Sequence, residues 1–143
     1  LLLNALSKPI MLGVYENNNL IKKYQSDERA SEFLPKILDE LLQDFDVQKL
    51  IYANGPGSYM GIKVSFLIFK TLSIVKNIPL YGINAFCLND FKPISANNHF
   101  CFVFEEGKIL LKKEKAGEFF MPENIEKLKL NEDNLPFYFI DAV

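Results

Sequence analysis

Apolar positions along the first half of the chain recur with two different periods. Leu1 to Leu6, Ile10 to Tyr15 and Leu20 to Tyr24 are short apolar or β-prone runs, and Glu16-Asn17-Asn18-Asn19 separates the second from the third. Asparagine tolerates positive φ, so this spacing predicts a hairpin and a three-stranded antiparallel opening. From about Ser31 to Phe45 the period changes. Phe33, Leu34, Ile37, Leu38, Leu41, Leu42 and Phe45 fall at helical spacing with charges opposite them, which predicts a first long helix. Pro35 belongs in its first turn, or marks a kink if the helix begins near Asp27.

Leu50-Ile51-Tyr52-Ala53 reads as a buried strand, Gly55-Pro56-Gly57-Ser58 as a tight turn, Gly61 to Lys76 as a second long helix and Pro79 to Ile83 as another strand. Alternating strands and helices after an antiparallel opening point to an α/β layer fold of the ribonuclease-H-like type, a mixed sheet with two long helices. Beyond it, Phe100 to Phe104 and Ile109 to Lys113 predict a second hairpin, Pro122 to Leu128 a short helix, and Pro136 to Ile140 a terminal strand. Pro93, Ser95, Asn97 and Asn98 cluster in a seam near 84–98. The expected division is a ribonuclease-H-like unit over residues 1–86 and a reduced second subdomain over 87–143.

The second helix is apolar nearly all round. Ile62, Phe66 and Phe69 share one side, Val64, Ile68, Leu72 and Val75 another, and Leu67 and Ile74 form a third short strip. A surface helix buries one stripe against its own sheet, so this one needs a second cover: the first helix or another protein. Ser65 and Ser73 would let a partner helix come close. The expected partner-facing set is Phe33, Ile37 and Leu41 on the first helix with Val64, Ile68, Leu72 and Val75 on the second.

The totals narrow the functional classes. A chain of 143 residues, 49% hydrophobic and 24% charged, has the balance of an ordinary globular protein. A net charge of -2 gives no basic field for a polyanion, so contact with tRNA is expected only through a partner. Lys108, Lys112, Lys113 and Lys115 are offset by Glu105, Glu106, Glu114 and Glu118 and read as a solvated hairpin. Cys87 and Cys101 have no metal-type spacing and read as reduced thiols. No apolar run approaches the roughly 20 residues that span a bilayer, and the start lacks the form of a signal peptide, so the expected location is the cytoplasm, with no membrane contact.

The most informative segment is Gly55-Pro56-Gly57-Ser58-Tyr59-Met60-Gly61-Ile62-Lys63-Val64, a glycine-rich turn between a strand and a helix. Such a turn can present backbone N–H groups to a phosphate, which makes Gly55, Pro56, Gly57, Ser58 and Gly61 a candidate nucleotide-like turn. It lacks the Gly-Lys-Ser/Thr ending of a P-loop, and a purely structural turn fits equally well. In context the segment resembles the Gly-Pro-Gly-Ser-Phe-Thr-Gly-Ile/Leu-Arg signature of the TsaB (YeaZ) family. Leu34-Pro35, Ile51-Tyr52-Ala53 and Ile78-Pro79-Leu80-Tyr81-Gly82-Ile83 are similar to that family's helix and flanking strands, so the likeness covers roughly residues 1–86.

The resemblance implies an actin-like (ASKHA) fold and a role in making threonylcarbamoyladenosine in tRNA. It implies a scaffold subunit that pairs through its two helices with a TsaD-like catalytic subunit or with a second copy, and a TsaE-like ATPase in the same complex. TsaD-like chains carry a His-x-x-x-His metal pair after the strand ending in Val-Asn; here Ile83-Asn84 is followed by Ala85 and Asn89. Alanine supplies no ligand, and an amide is a poor substitute for imidazole. His99 is the chain's single histidine, and Ala5 stands where the first phosphate loop would carry a carboxylate. No catalytic residue, metal ligand or cofactor is therefore assigned, and the chain reads as an inactive paralogue of the TsaD catalytic subunit. Two other readings stay open: a nucleotide-dependent transferase or glycoprotease-like enzyme, and a vestigial nucleotide sensor at the Gly55 turn.

Overall fold

The computed structural model describes residues 1–138. Strands β1 (Leu2–Asn4), β2 (Ile10–Glu16) and β3 (Asn19–Ser26) open the chain. Helix α1 (Ala30–Asp44), strand β4 (Leu50–Ala53), helix α2 (Tyr59–Lys76) and strand β5 (Leu80–Ile83) follow. These strands form one mixed sheet in the order β3-β2-β1-β4-β5, antiparallel on the β1–β3 side and parallel from β1 to β5. A 3-10 turn at Ala85–Leu88 leads to a small antiparallel sheet of β6 (Ile94–Ser95), β7 (Cys101–Glu105) and β8 (Lys108–Lys112). Both tight hairpin turns use the predicted chemistry. Asn17 and Asn18 have φ of 52° and 67°, and Glu106 and Gly107 have 49° and 76°.

Strand side chains alternate between two cores. Leu3, Leu50 and Tyr52 join α1 and α2 in one cluster, while Leu2, Ile51 and Ala53 join the opposite one with Ile83, Phe86, Ile94 and Phe102. The central strands are covered on both faces, which is why β4 reads as an unbroken apolar run rather than an alternating one. The second cluster contains residues on both sides of the expected seam, so the small sheet packs directly onto the back of the large one.

α1 buries Phe33, Leu34, Ile37, Leu38 and Leu41 and exposes Glu32, Lys36, Asp39 and Glu40. Pro35 is its sixth residue, past the first turn and exposed. Ser31, whose carbonyl loses its helical donor to the proline ring, is itself an exposed residue. α2 begins at Ser58, whose hydroxyl accepts the Gly61 N–H at 3.2 Å, and ends at Asn77 in the left-handed region.

The expected helix at Pro122–Leu128 is absent. That stretch pairs instead with the β2–β3 turn: the Leu20 N–H donates to Glu123 O at 2.8 Å and the Ile125 N–H to Asn18 O at 2.9 Å. A segment this short gains too few helical bonds to offset nucleation, and tertiary pairing takes its backbone groups. The strand expected at Pro136–Ile140 lies partly outside the described residues, and its described part, 136–138, is irregular.

Candidate functional site: a cleft and an uncovered helix face

Three loops and the small sheet enclose a cleft of about 940 Å³. Its floor is Leu6-Ser7-Lys8-Pro9 from the β1–β2 connection together with Gly57-Ser58-Tyr59 ahead of α2. Ile94, Ser95 and Phe102 of the small sheet form the opposite wall, and Phe119, Phe137 and Tyr138 flank it. Lys8 and Glu118 are the charged side chains among the lining residues. Most of the wall is apolar or aromatic, with hydroxyls from Ser7, Ser58 and Ser95.

The glycine turn lies at this cleft, and several of its groups are committed to the fold. Ser58 N–H donates to Leu6 O at 2.9 Å, Gly61 N–H to Ser58 Oγ, and Gly55 O accepts from Ala85 N–H at 2.9 Å. Gly55 has φ of 122°, and the carbonyl of Phe137 occupies the space a side chain there would need. The Gly55–Pro56 peptide is cis. The turn thus ties the β1–β2 connection, the start of α2 and the 3-10 turn together, with the Ser58 and Gly61 N–H groups engaged inside the fold.

The positions compared with metal and phosphate ligands are buried. Ala5 is packed under α2, with its carbonyl against Gly61, and Ala85 is fully covered. Asn89 is 1% exposed, and its side-chain amide donates to Lys92 O at 2.8 Å. His99 is exposed on the β6–β7 turn. Among the described residues no three His, Cys, Asp or Glu side chains converge. Burial pushes the Cys87 and Cys101 thiols up, and the carboxylate of Glu114 adds to the shift at Cys101.

The partner-facing set divides by burial. Phe33, Ile37 and Leu41 lie in the core beneath α1, at 9%, 7% and 0% exposure, so they present nothing to another molecule in this structure. Val64, Ile68 and Leu72 are half-buried against the same core. Val75 is exposed, and with Met60, Leu67 and Ile74 it makes a stripe along the outer face of α2, each residue 54–72% exposed. The third strip of the helical wheel, Leu67 and Ile74, is therefore uncovered, together with Met60 and with Val75 at the end of the second strip. Ser65 points inward, its hydroxyl donating to Gly61 O at 2.6 Å, and Ser73 donates to Ile78 O at 2.5 Å. Neither serine lines an open groove. No described helix is long and apolar enough to cross a membrane.

Sequence reasoning missed the carboxyl-terminal tail as part of the site. Residues 131–138 run along β5 and across the end of β4 to the glycine turn. Tyr138 packs against Tyr59 with ring centroids 4.6 Å apart and the planes tilted by 36°. Burial, with the nearby charges of Tyr138 and Asp133, raises the pKa of Tyr52, whose hydroxyl donates to Asn134 O.

Comparison with known proteins places this architecture. A family model of TsaD, tRNA N6-adenosine threonylcarbamoyltransferase, matches residues 21–89. No curated protein matches by sequence. YeaZ from Pseudomonas aeruginosa superposes with a TM-score of 0.55 at 13% identity, over 81% of this chain and 64% of that one. A second solved structure, an uncharacterized protein with similarity to peptidase YEAZ from Pseudomonas aeruginosa, gives a TM-score of 0.52 at 14% identity, over 88% and 70%. This chain thus spans just under two thirds of the length of that YeaZ. The fold is therefore the actin-like, ASKHA-type fold of YeaZ, and just under half of the chain is similar to the TsaD family model.

Proposed function

We propose that this protein is a non-catalytic scaffold subunit that binds a TsaD-like threonylcarbamoyltransferase through the outer face of α2. The observation that carries the reading is the stripe Met60, Leu67, Ile74 and Val75, apolar and exposed on a helix whose inner face is already packed. Apolar side chains exposed together on a folded domain are a common mark of an interaction site. α1 beside it supplies a charged outer face, with Lys36 and Glu28 paired at 3.1 Å, suited to the polar rim of an interface. Residues 1–86 carry the helix pair in this reading, and the described residues from 87 on close the back of the sheet.

Ala5, Ala85 and Asn89, all buried, stand where a working TsaD-like enzyme would place its acidic and metal-binding groups. A negative net charge leaves tRNA to the partner, consistent with an indirect role in the modification. A second copy of the chain competes for the same stripe, and a TsaE-like ATPase joins the complex elsewhere.

Light scattering coupled to size exclusion tests this, for the chain alone and mixed with the TsaD-like protein of its own organism. The reading requires a complex that Leu67→Glu abolishes while the variant stays folded. A wild-type chain that ignores the partner sinks it.

A further inference from the structure

The tail over residues 131–137 is held mainly by polar contacts, and Tyr138 at its end adds an aromatic one to Tyr59. Gly82 and Asn131 exchange both backbone bonds, at 3.0 and 2.8 Å. Asn54 repeats the pattern further along: its carbonyl accepts the Phe137 N–H at 2.7 Å, and its side-chain amide donates to Leu135 O at 3.2 Å. Asn134 donates its side-chain amide to Leu80 O at 3.1 Å, and the Tyr52 hydroxyl donates to Asn134 O. Apolar burial comes mainly from the half-buried Tyr138 ring, since Leu135 is 63% and Phe137 40% exposed. The stretch just before behaves differently, with Met121 and Ile125 buried at 8% and 7%.

A segment rich in solvent-facing hydrogen bonds and poor in buried apolar contacts opens at a lower free energy than the core. The far end of this one lies at a functional place. Phe137 and Tyr138 line the cleft, the Phe137 carbonyl caps Gly55, and the Tyr138 ring lies on Tyr59. We propose that residues 131–138 form a releasable strap that gates the cleft, leaving β4 and β5 while the anchored stretch through Ile125 stays in place. The chamber it guards has mostly apolar and aromatic walls, and its one lysine, Lys8, is offset by the carboxylate of Glu118. It therefore suits a flat, largely apolar molecule with at most one negative charge, in preference to a polyphosphate.

Hydrogen exchange on the full chain, read at single amides, tests the strap together with binding of anilinonaphthalenesulfonate, an aromatic probe with one negative charge. In the wild type, the amides of Asn131 and Phe137 exchange through an opening well short of global unfolding, while the Asn54 N–H, bonded to Ile83 O, does not. Asn134→Ala or Tyr52→Phe speeds exchange of the strap amides about fivefold, leaves Asn54 unchanged, and raises the association rate of the probe by a similar factor. Strap amides that exchange only with global unfolding would overturn the proposal. So would a strap that loosens in either variant without any change in the rate at which the probe enters.

Discussion

Gly61, in the first turn of α2, lies with its Cα against the carbonyl oxygen of Ala5, so closely that no methyl group fits between them. This contact sets how deeply the helix seats on the end of β1. Ser58 caps the same turn, and Leu6 O holds the Ser58 N–H from the other side. Gly61→Ala should destabilise the fold by about 2–3 kcal/mol through backbone displacement, since the obstacle is a carbonyl and not a flexible side chain. Ser58→Ala should cost only about 1 kcal/mol, the usual loss of a cap. Urea denaturation of the two variants checks both the order and the gap.

The two helices should respond to truncation in opposite ways. Phe33→Ala removes a core aromatic and should cost about 3–5 kcal/mol. Leu67→Ala, on the exposed stripe, should leave the stability of the isolated chain within about 0.5 kcal/mol. Denaturation midpoints decide this before any partner is added. A large loss at Leu67 would mean that the stripe is structural.

Alkaline pH should loosen the tail. Tyr52 and Tyr15 have pKa values raised by burial, and their hydroxyls donate to Asn134 O and Pro122 O respectively. The folded state thus favours the neutral phenol. Below the ordinary tyrosine value of about 10, both states are protonated and the stabilisation is complete. As pH rises past it, the unfolded chain releases protons that the folded chain still holds, so stability falls. Melting temperature should be insensitive to these groups up to about pH 9 and decline above 10, and Tyr52→Phe with Tyr15→Phe should flatten the decline.

The thiols should be slow nucleophiles. Cys101 is buried, its Sγ lies 3.0 Å from Glu114 O, and its pKa is raised, so little thiolate exists near neutral pH. Alkylation of Cys101 by iodoacetamide at pH 7.5 should proceed only through opening of the structure and accelerate sharply in denaturant. Rapid labelling of the folded chain would contradict the placement of β7.

Much of the architecture was legible because the amino half obeys simple periods. Asn17-Asn18 announced a hairpin, the α1 stripe a helix, and Leu50–Ala53 a strand covered on both sides. What stayed hidden depends on long-range geometry. On a helix as apolar as α2, periodicity cannot say which of three strips faces outward; the sheet takes Ile62 and Phe69, and α1 lies beside the Val64–Leu72 side. The same burial places Phe33 and Ile37 under α1 rather than on its surface. The strap has no local signature either. Tyr52 meets Asn134, and Asn54 meets Leu135, across about eighty positions of chain separation, and the partner of the Phe137 N–H is a backbone carbonyl that any sequence carries.

The most direct measurement of the central claim is a calorimetric titration of the TsaD-like protein into this chain at several temperatures, wild type against Leu67→Glu and Ile74→Glu. The account predicts binding with a clearly negative heat-capacity change, the mark of apolar burial, lost in both folded variants. Wild-type binding that survives both substitutions, or no binding at all, would contradict it.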